Sequence, residues 1–273
     1  IKKILYQIPN FQRSYFNFKK RFFFNNPEFI GWGMSTHALP PWIMSKKSEL
    51  NTNFLKADSL LRNKIKKNDF IIQIWDSHDD RMLVMDTLLW RHYVISWCAF
   101  NVIQRKLEKN FNIVECGVGS GLSSFFILSF FSKYNYKIHL FDSWEKLDEQ
   151  NLTDYEKTKM DWYDYLSIDV TKKNLDEYKK GINYVKGHIP QIFKNLNFED
   201  KIDLLHIDMN SAKASKEALI YFYPKLNKNG IILFDDYGWK YREETKKYID
   251  EFLSNKTGFF FPLPTGQAFF INN

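Results

Sequence analysis

Residues 111–124, Phe-Asn-Ile-Val-Glu-Cys-Gly-Val-Gly-Ser-Gly-Leu-Ser-Ser, constrain this chain more than any other stretch. Two apolar residues, Ile113 and Val114, lead into Glu115. Glycines follow at alternate positions, Gly117, Gly119 and Gly121, and an apolar run then extends from Leu122 to Phe131. The pattern reads as strand, tight loop and helix. Glycines at this spacing permit positive φ and let a ligand approach the backbone without meeting a Cβ. The N–H groups that open the helix, around Ser123, then face that ligand. The dinucleotide fingerprint needs a glycine three residues after the second one, where Leu122 stands. An acid two positions before the first glycine repels a phosphate at that range and suits a ligand with a cationic amino-acid end. S-adenosylmethionine is such a ligand. Taken alone, the stretch also suits an ordinary strand-to-helix turn, so its meaning depends on the rest of the chain.

The 273 residues accommodate one α/β domain with an appended segment, or two small domains. Hydrophobic residues at 44% and charged residues at 26% place the chain among globular proteins. The net charge of +7 is compatible with an anionic small molecule, such as a phosphorylated or nucleotide-linked sugar, although the charge reads better as an ordinary solvated surface. Lysines are scattered along the chain instead of gathered in one stripe, so no nucleic-acid partner is expected. Cys98 and Cys116 offer neither a disulfide framework nor metal-ligand spacing. No apolar run is long enough for a bilayer and no signal-peptide pattern opens the chain, so a cytoplasmic protein without a transmembrane segment is expected. A homo-oligomer is compatible with this layout.

Residues 1–80 read as an N-terminal arm and cap segment, basic and aromatic at first (Lys19 to Phe24) and turn-rich thereafter. Asp76, His78, Asp79 and Asp80 suit a polar loop with helix-capping acids better than a metal site. Residues 81–273 read as the main domain. Its first part, 81–107, has helical apolar spacing. After the glycine loop, Lys137 to Phe141 is a strand closed by Asp142, about 20 residues beyond the last glycine, where a Rossmann-like unit holds a ribose diol. Ser143 and Trp144 follow beside the adenine. Residues 145–181 form an insert or lid, read as helical. A strand at Asn183 to Val185 leads to Gly187 and His188, also at the cofactor rim, and a short helix spans Ile189 to Leu196. Strand Ile202–Ile207 ends at Asp208, helix 214–226 follows, and strand Ile231–Phe234 ends at Asp235 and Asp236. Helix Glu243–Leu253 precedes a hairpin, 259–262 with 268–271, around Thr265-Gly266. Alternating strands and helices closed by a hairpin imply a Rossmann-like α/β fold: a mostly parallel seven-stranded sheet with a C-terminal antiparallel hairpin.

Ligands bind such sheets beyond the carboxyl ends of the strands. Asp208, Asp235 and Asp236 stand at those ends, and three carboxylates at close range repel unless protonated or bridged by a cation. Mg²⁺, or another divalent cation with oxygen ligands, resolves the repulsion. The chemistry suits methyl transfer to an oxygen that the metal acidifies and orients.

Val114-Glu115-Cys116-Gly117-Val118, Phe141-Asp142-Ser143-Trp144, Leu205-His206-Ile207-Asp208, Tyr223-Pro224-Lys225-Leu226 and Phe234-Asp235-Asp236-Tyr237-Gly238 together resemble the macrocin O-methyltransferase (TylF-like) family of sugar-modifying enzymes. The resemblance covers roughly residues 85–273. It implies a class I methyltransferase fold, S-adenosylmethionine, a divalent ion on Asp208, Asp235 and Asp236, and O-methylation of a sugar hydroxyl. One departure stands out. Where the closest family pattern has Asp-Gly-Asp, this chain has Asp208-Met209-Asn210, and Asn210 cannot take a proton at neutral pH. His206, His188 and Lys213 are the alternative bases, with His206 equally readable as a core histidine. Tyr237 and Gln267, at the same rim, are candidate substrate contacts. Two further readings compete: a catechol-type small-molecule O-methyltransferase, and an S-adenosylmethionine-binding partner protein impaired in catalysis.

Overall fold

The computed structural model describes residues 48–73, 84–85, 88–158, 163–239 and 242–273. Residues 1–47, the acids and histidine at 76–80, and Trp162 of the insert lie outside these described residues. The described chain runs α1 (Glu49–Lys66), α2 (Leu89–Arg105), β1 (Asn110–Cys116), α3 (Leu122–Phe131), β2 (Asn135–Asp142), α4 (Asp154–Lys157), α5 (Ile168–Asn174), β3 (Ile182–Lys186), β4 (Ile202–Ile207), α6 (Ala212–Phe222), β5 (Leu226–Phe234), α7 (Glu243–Leu253), β6 (Gly258–Pro262) and β7 (Ala268–Asn272).

The seven strands form one sheet in the order β3-β2-β1-β4-β5-β7-β6. Strands β1 to β5 run parallel to one another, and β7 runs antiparallel to both β5 and β6. Chain direction across the sheet reverses between β1 and β4, which opens a crevice at their carboxyl ends. Register aligns that rim. Cys116 pairs with Phe141 on one side and Ile207 on the other, and Ile207 pairs with Phe234. Gly117, Asp142, Asp208 and Asp235 therefore follow level strand ends.

Alternation along the strands feeds two cores. Phe111 and Ile113 of β1, Leu204 of β4 and Leu233 of β5 pack under α1, α2 and α3 with Phe54, Leu61, Ile95, Val102, Phe125 and Phe126. Val114, Cys116, Leu205, Ile207, Ile232 and Phe234 pack on the other face with Ala218, Leu219, Phe222 and Ile249. Helix α1, within the segment read from sequence as the cap, buries Leu50, Phe54, Ala57, Leu61 and Ile65, and Phe54 stacks on Phe126 at 5.8 Å. At the amino end of β4, buried Asp203 is matched by Lys106 Nζ at 2.8 Å, the Asn112 N–H at 2.9 Å and Asn227 Nδ2 at 2.7 Å, as a buried carboxylate requires.

The expected α3, β4 and α7 coincide with the observed elements. Helix α6 stops at Phe222, and a 3-10 turn over Tyr223–Lys225 leads directly into β5. Pro224 lacks the N–H that a continued helix would need. The helix expected at Ile189 to Leu196 is a 3-10 turn over Gln191–Asn195, with Pro190 at its amino end. Among its described residues the insert holds short pieces: a 3-10 turn at Glu149–Asn151, the single-turn α4 with a Thr153/Glu156 capping box, α5, and a second 3-10 turn at Asp176–Tyr178. No helix among the described residues is long and apolar enough to cross a membrane.

Candidate active site

The glycine loop is held by its backbone. Asp142 Oδ2 accepts from the N–H groups of Val118 at 2.7 Å and Gly119 at 2.8 Å, while Asp142 Oδ1 accepts from the Trp144 N–H at 2.7 Å. The Gly119 carbonyl accepts from Thr171 Oγ1 at 2.6 Å and from Trp144 Nε1 at 3.1 Å. The Ser120 carbonyl accepts from Asn174 Nδ2 at 2.8 Å, and Ser120 Oγ accepts from the Gln73 N–H at 2.8 Å. The insert and the chain before α2 are thus stitched to the loop.

Two glycines do different work. Gly117 has φ +86, and a Cβ there would stand 1.7 Å from the Asp208 carbonyl, so its absence lets β1 and β4 close at the rim. Gly119 has φ +53 and a Cβ would meet nothing within 4 Å. Its open side is where a ligand can lie against backbone. Gly121, at φ +85, is the N-cap of α3, and Ser123 is partly exposed in its first turn.

Beyond β2, Ser143 Oγ donates to the Glu145 carbonyl at 3.1 Å, and His188 Nε2 lies 2.7 Å from Glu145 Oε1, so both stand at the rim beside Gly187. Trp144, expected beside the adenine, is buried with its indole N–H committed to Gly119 and Thr171.

Glu115, expected to face a ligand's ammonium group, is fully buried. Strand alternation turns it under the loop, where one oxygen accepts from Ser124 Oγ and the other lies 3.0 Å from His206 Nδ1. Glu115 and His206 are paired residues of β1 and β4, and Asp235 follows Phe234 on β5, so all three point to the α2 side of the sheet. Gln267 completes the row: its Nε2 donates to Asp235 Oδ1 at 2.7 Å, and its Oε1 accepts from Thr265 Oγ1 at 3.0 Å. Gln267 is fully buried and holds Asp235 instead of reaching outward. Arg91, from the first turn of α2, forms an ion pair with Asp235 Oδ2.

Above this row, Asp208 is only partly buried. Burial first, and then the neighbouring Asp236, push its carboxyl up to about 6, against the pull of Arg91 and His206. One ligand atom from each of His206, Asp208 and Asp235 lies within 4.8 Å of the others. Asp236 stands to the side, with Oδ2 3.8 Å from Arg242 Nε.

Arg242 organises the far wall. Its Nη2 donates to Asn210 Oδ1 at 2.6 Å, and its Nη1 donates to the Asn210 carbonyl at 2.8 Å and to Glu156 Oε1 at 3.3 Å. Asn210 sits at φ +54 and presents both oxygens to the guanidinium. Glu156 also accepts from the Ala212 N–H at 2.9 Å, joining the insert to the amino end of α6. Tyr163, from the insert, lies in the field of Asp236, Arg242 and Asp208; burial, and after it Asp236, raise its phenol above the ordinary value. Tyr237, expected at the substrate, turns away and donates to Asp250 Oδ1 on α7 at 2.7 Å.

Arg91, Ser124, Glu156 and Arg242 escape a reading of the sequence. Ser124 left a trace, as a small polar residue inside an apolar helix, and so did Arg91, beside His92 on an otherwise apolar stretch. Arg242 and Glu156 left none, because their partners come from other elements.

The sheet order, with a left-handed glycine loop at its switch point, is that of a Rossmann-like α/β fold. Residues 114–237 match the family model described as a methyltransferase domain. Among solved structures, the O-methyltransferase NovP aligns at TM-score 0.56 with 16% identity, over 69% of this chain and 81% of that one. The calicheamicin methyltransferase CalS11 aligns at TM-score 0.53 with 15% identity, over 82% and 93%. No curated protein sequence gives a significant match.

Proposed function

We propose that this chain transfers the methyl group of S-adenosylmethionine to a hydroxyl of a sugar, with a divalent cation at the carboxylates of the β4 and β5 ends. The observation that carries this reading is the juxtaposition, at one switch point, of the open face of Gly119 with the partly exposed Asp208 and the buried Asp235. The macrocin-type motifs favour a sugar acceptor, and the net charge of +7 suits one that carries phosphate. NovP and CalS11, named as methyltransferases, share the fold.

The donor set fits a cation. Two carboxylates and an imidazole whose Nε2 has no hydrogen-bond partner among the described residues converge there. When bound, the cation supplies Lewis acidity that makes an acceptor hydroxyl a better nucleophile at neutral pH. The remaining work falls to the protein. The Gly119 face and the rim at Ser143, Gly187 and His188 take the adenosyl part, and Asp142, which already accepts three N–H groups, keeps one lone-pair site on Oδ1 for a ribose hydroxyl. In this reading the Asp208 oxygen left free of the cation receives the hydroxyl proton, since the oxygens of Asp235 face Arg91 and Gln267. Asn210 takes no proton; its oxygens hold Arg242.

The test is methyl transfer from labelled S-adenosylmethionine to a panel of sugar nucleotides and catechols, with products identified by mass spectrometry. A methylated sugar nucleotide is expected. Methylation confined to catechols would replace the acceptor class. Cofactor binding without transfer to any hydroxylated acceptor would favour a partner protein.

A further inference from the structure

The polar row under the strand ends contains one atom that the described residues leave unsatisfied. His206 is fully buried, and its Nε2 has no hydrogen-bond partner among them. Its other nitrogen, Nδ1, lies 3.0 Å from Glu115 Oε1, and the second oxygen of Glu115 is taken by Ser124. A carboxylate only accepts, so in the neutral imidazole the proton sits on Nδ1 and the lone pair on Nε2. That lone pair is aimed into the cluster: Nε2 lies 3.8 Å from Asp235 Oδ1, and a ligand atom of Asp208 completes a set within 4.8 Å. A histidine kept only for packing would have no reason to point an unpartnered acceptor at two carboxylates. A carboxylate behind the distal nitrogen is the arrangement that orients a metal-bound imidazole.

We infer that the cation of this site is held by His206 Nε2 together with Asp208 and Asp235, with Glu115 and Ser124 behind the imidazole, and that Asp236 is not a ligand. The inference rests on the cation-assisted reading above and assigns its ligands. Asp236 falls outside the converging set, and among the described residues its Oδ2 lies 3.8 Å from Arg242 Nε. A nitrogen donor has a consequence for the metal: Mg²⁺ keeps to oxygen ligands, whereas Mn²⁺ and later divalent ions accept imidazole. Arg91 has a consequence too. Its guanidinium occupies the Asp235 carboxylate, so a cation entering the site competes with it.

The experiment is titration of the whole protein with Mn²⁺ and with Mg²⁺ by calorimetry, with pulsed EPR on the one-to-one Mn²⁺ complex to detect coupling to an imidazole ¹⁴N. Wild-type protein should show that coupling and bind Mn²⁺ at least about tenfold more tightly than Mg²⁺. His206→Gln should abolish the coupling and weaken Mn²⁺ by at least about tenfold. Asp236→Asn should leave Mn²⁺ affinity within about threefold, and Arg91→Leu should tighten it. Because a substitution at the buried His206 can disturb the core, the wild-type coupling is decisive by itself. A Mn²⁺ complex without nitrogen coupling overturns the assignment, as does a loss in Asp236→Asn equal to that in Asp235→Asn. Absence of Mn²⁺ binding, with methyl transfer persisting in chelator, removes the ligand set and the cation together while leaving methyl transfer itself in place.

Discussion

The two halves of the site rim are built differently. At the ends of β1 and β2, the loop carrying Gly117, Gly119 and Gly121 is tied by Asp142, Trp144, Thr171, Asn174 and Gln73, and its polar groups have protein partners. At the ends of β4 and β5, acids, an imidazole and two guanidinium groups crowd together, with His206 Nε2 and Asp236 Oδ2 buried and without a hydrogen-bond partner among the described residues. A finished framework offers a fixed backbone surface to a ligand at little reorganisation cost. An unfinished cluster has polar capacity in reserve, which a bound ion or substrate hydroxyl can take up. The β1–β2 side is therefore a rigid mould and the β4–β5 side a charged socket.

Substitutions sharpen that contrast, beginning with the socket. Asp235→Asn should lower methyl transfer by roughly 10²–10³-fold, since it removes charge from the buried row, while equilibrium binding of S-adenosylmethionine changes little. Loss of cofactor binding instead would merge the two halves. On the mould side, Gly117→Ala should act on folding, because its Cβ would meet the Asp208 carbonyl at 1.7 Å. A loss of roughly 3 kcal/mol or more by denaturant titration is expected. Gly119→Val has open space but a positive φ, so it should leave a folded protein that binds S-adenosylmethionine at least about tenfold more weakly. Equal effects at the two glycines would contradict their separate roles.

Smaller effects test the fastenings. Thr171→Val removes a donor to the Gly119 carbonyl and an acceptor for Trp144. About 1–2 kcal/mol of stability should go with them, read as a lower midpoint in urea. Asn210→Asp turns the hydrogen bond from Arg242 into an ion pair at a partly buried site, worth about 1 kcal/mol or less. Its effect on turnover should stay within roughly fivefold. A gain of several orders of magnitude would show that the missing acid limits the reaction and that Arg242 does not hold this residue.

The sheet was legible from the chain because strand and helix periods are local. Ile202–Ile207 is buried throughout, and Glu243–Leu253 spaces its buried residues as one helix face. The glycine triplet, Asp142 and the acids after β4 and β5 were legible as well, since strand ends mark a ligand rim whatever lies between them. What escaped depends on register and on partners distant in sequence. Nothing local shows that Glu115 points under the loop to His206, that Gln267 props Asp235, or that Tyr237 turns toward Asp250. Asn210 is the sharpest case: as a sequence position it is a base lost, and in the structure its two oxygens are the seat of Arg242.

The most direct test of the central claim, cation-assisted methyl transfer at this socket, is the initial rate of labelled methyl transfer to a sugar nucleotide by protein stripped with chelator and then supplied with Mn²⁺ or Mg²⁺. A rate near background is expected after stripping, restored by the added ion in wild type and not in Asp235→Asn. A full rate in excess chelator, indifferent to either ion, would contradict it.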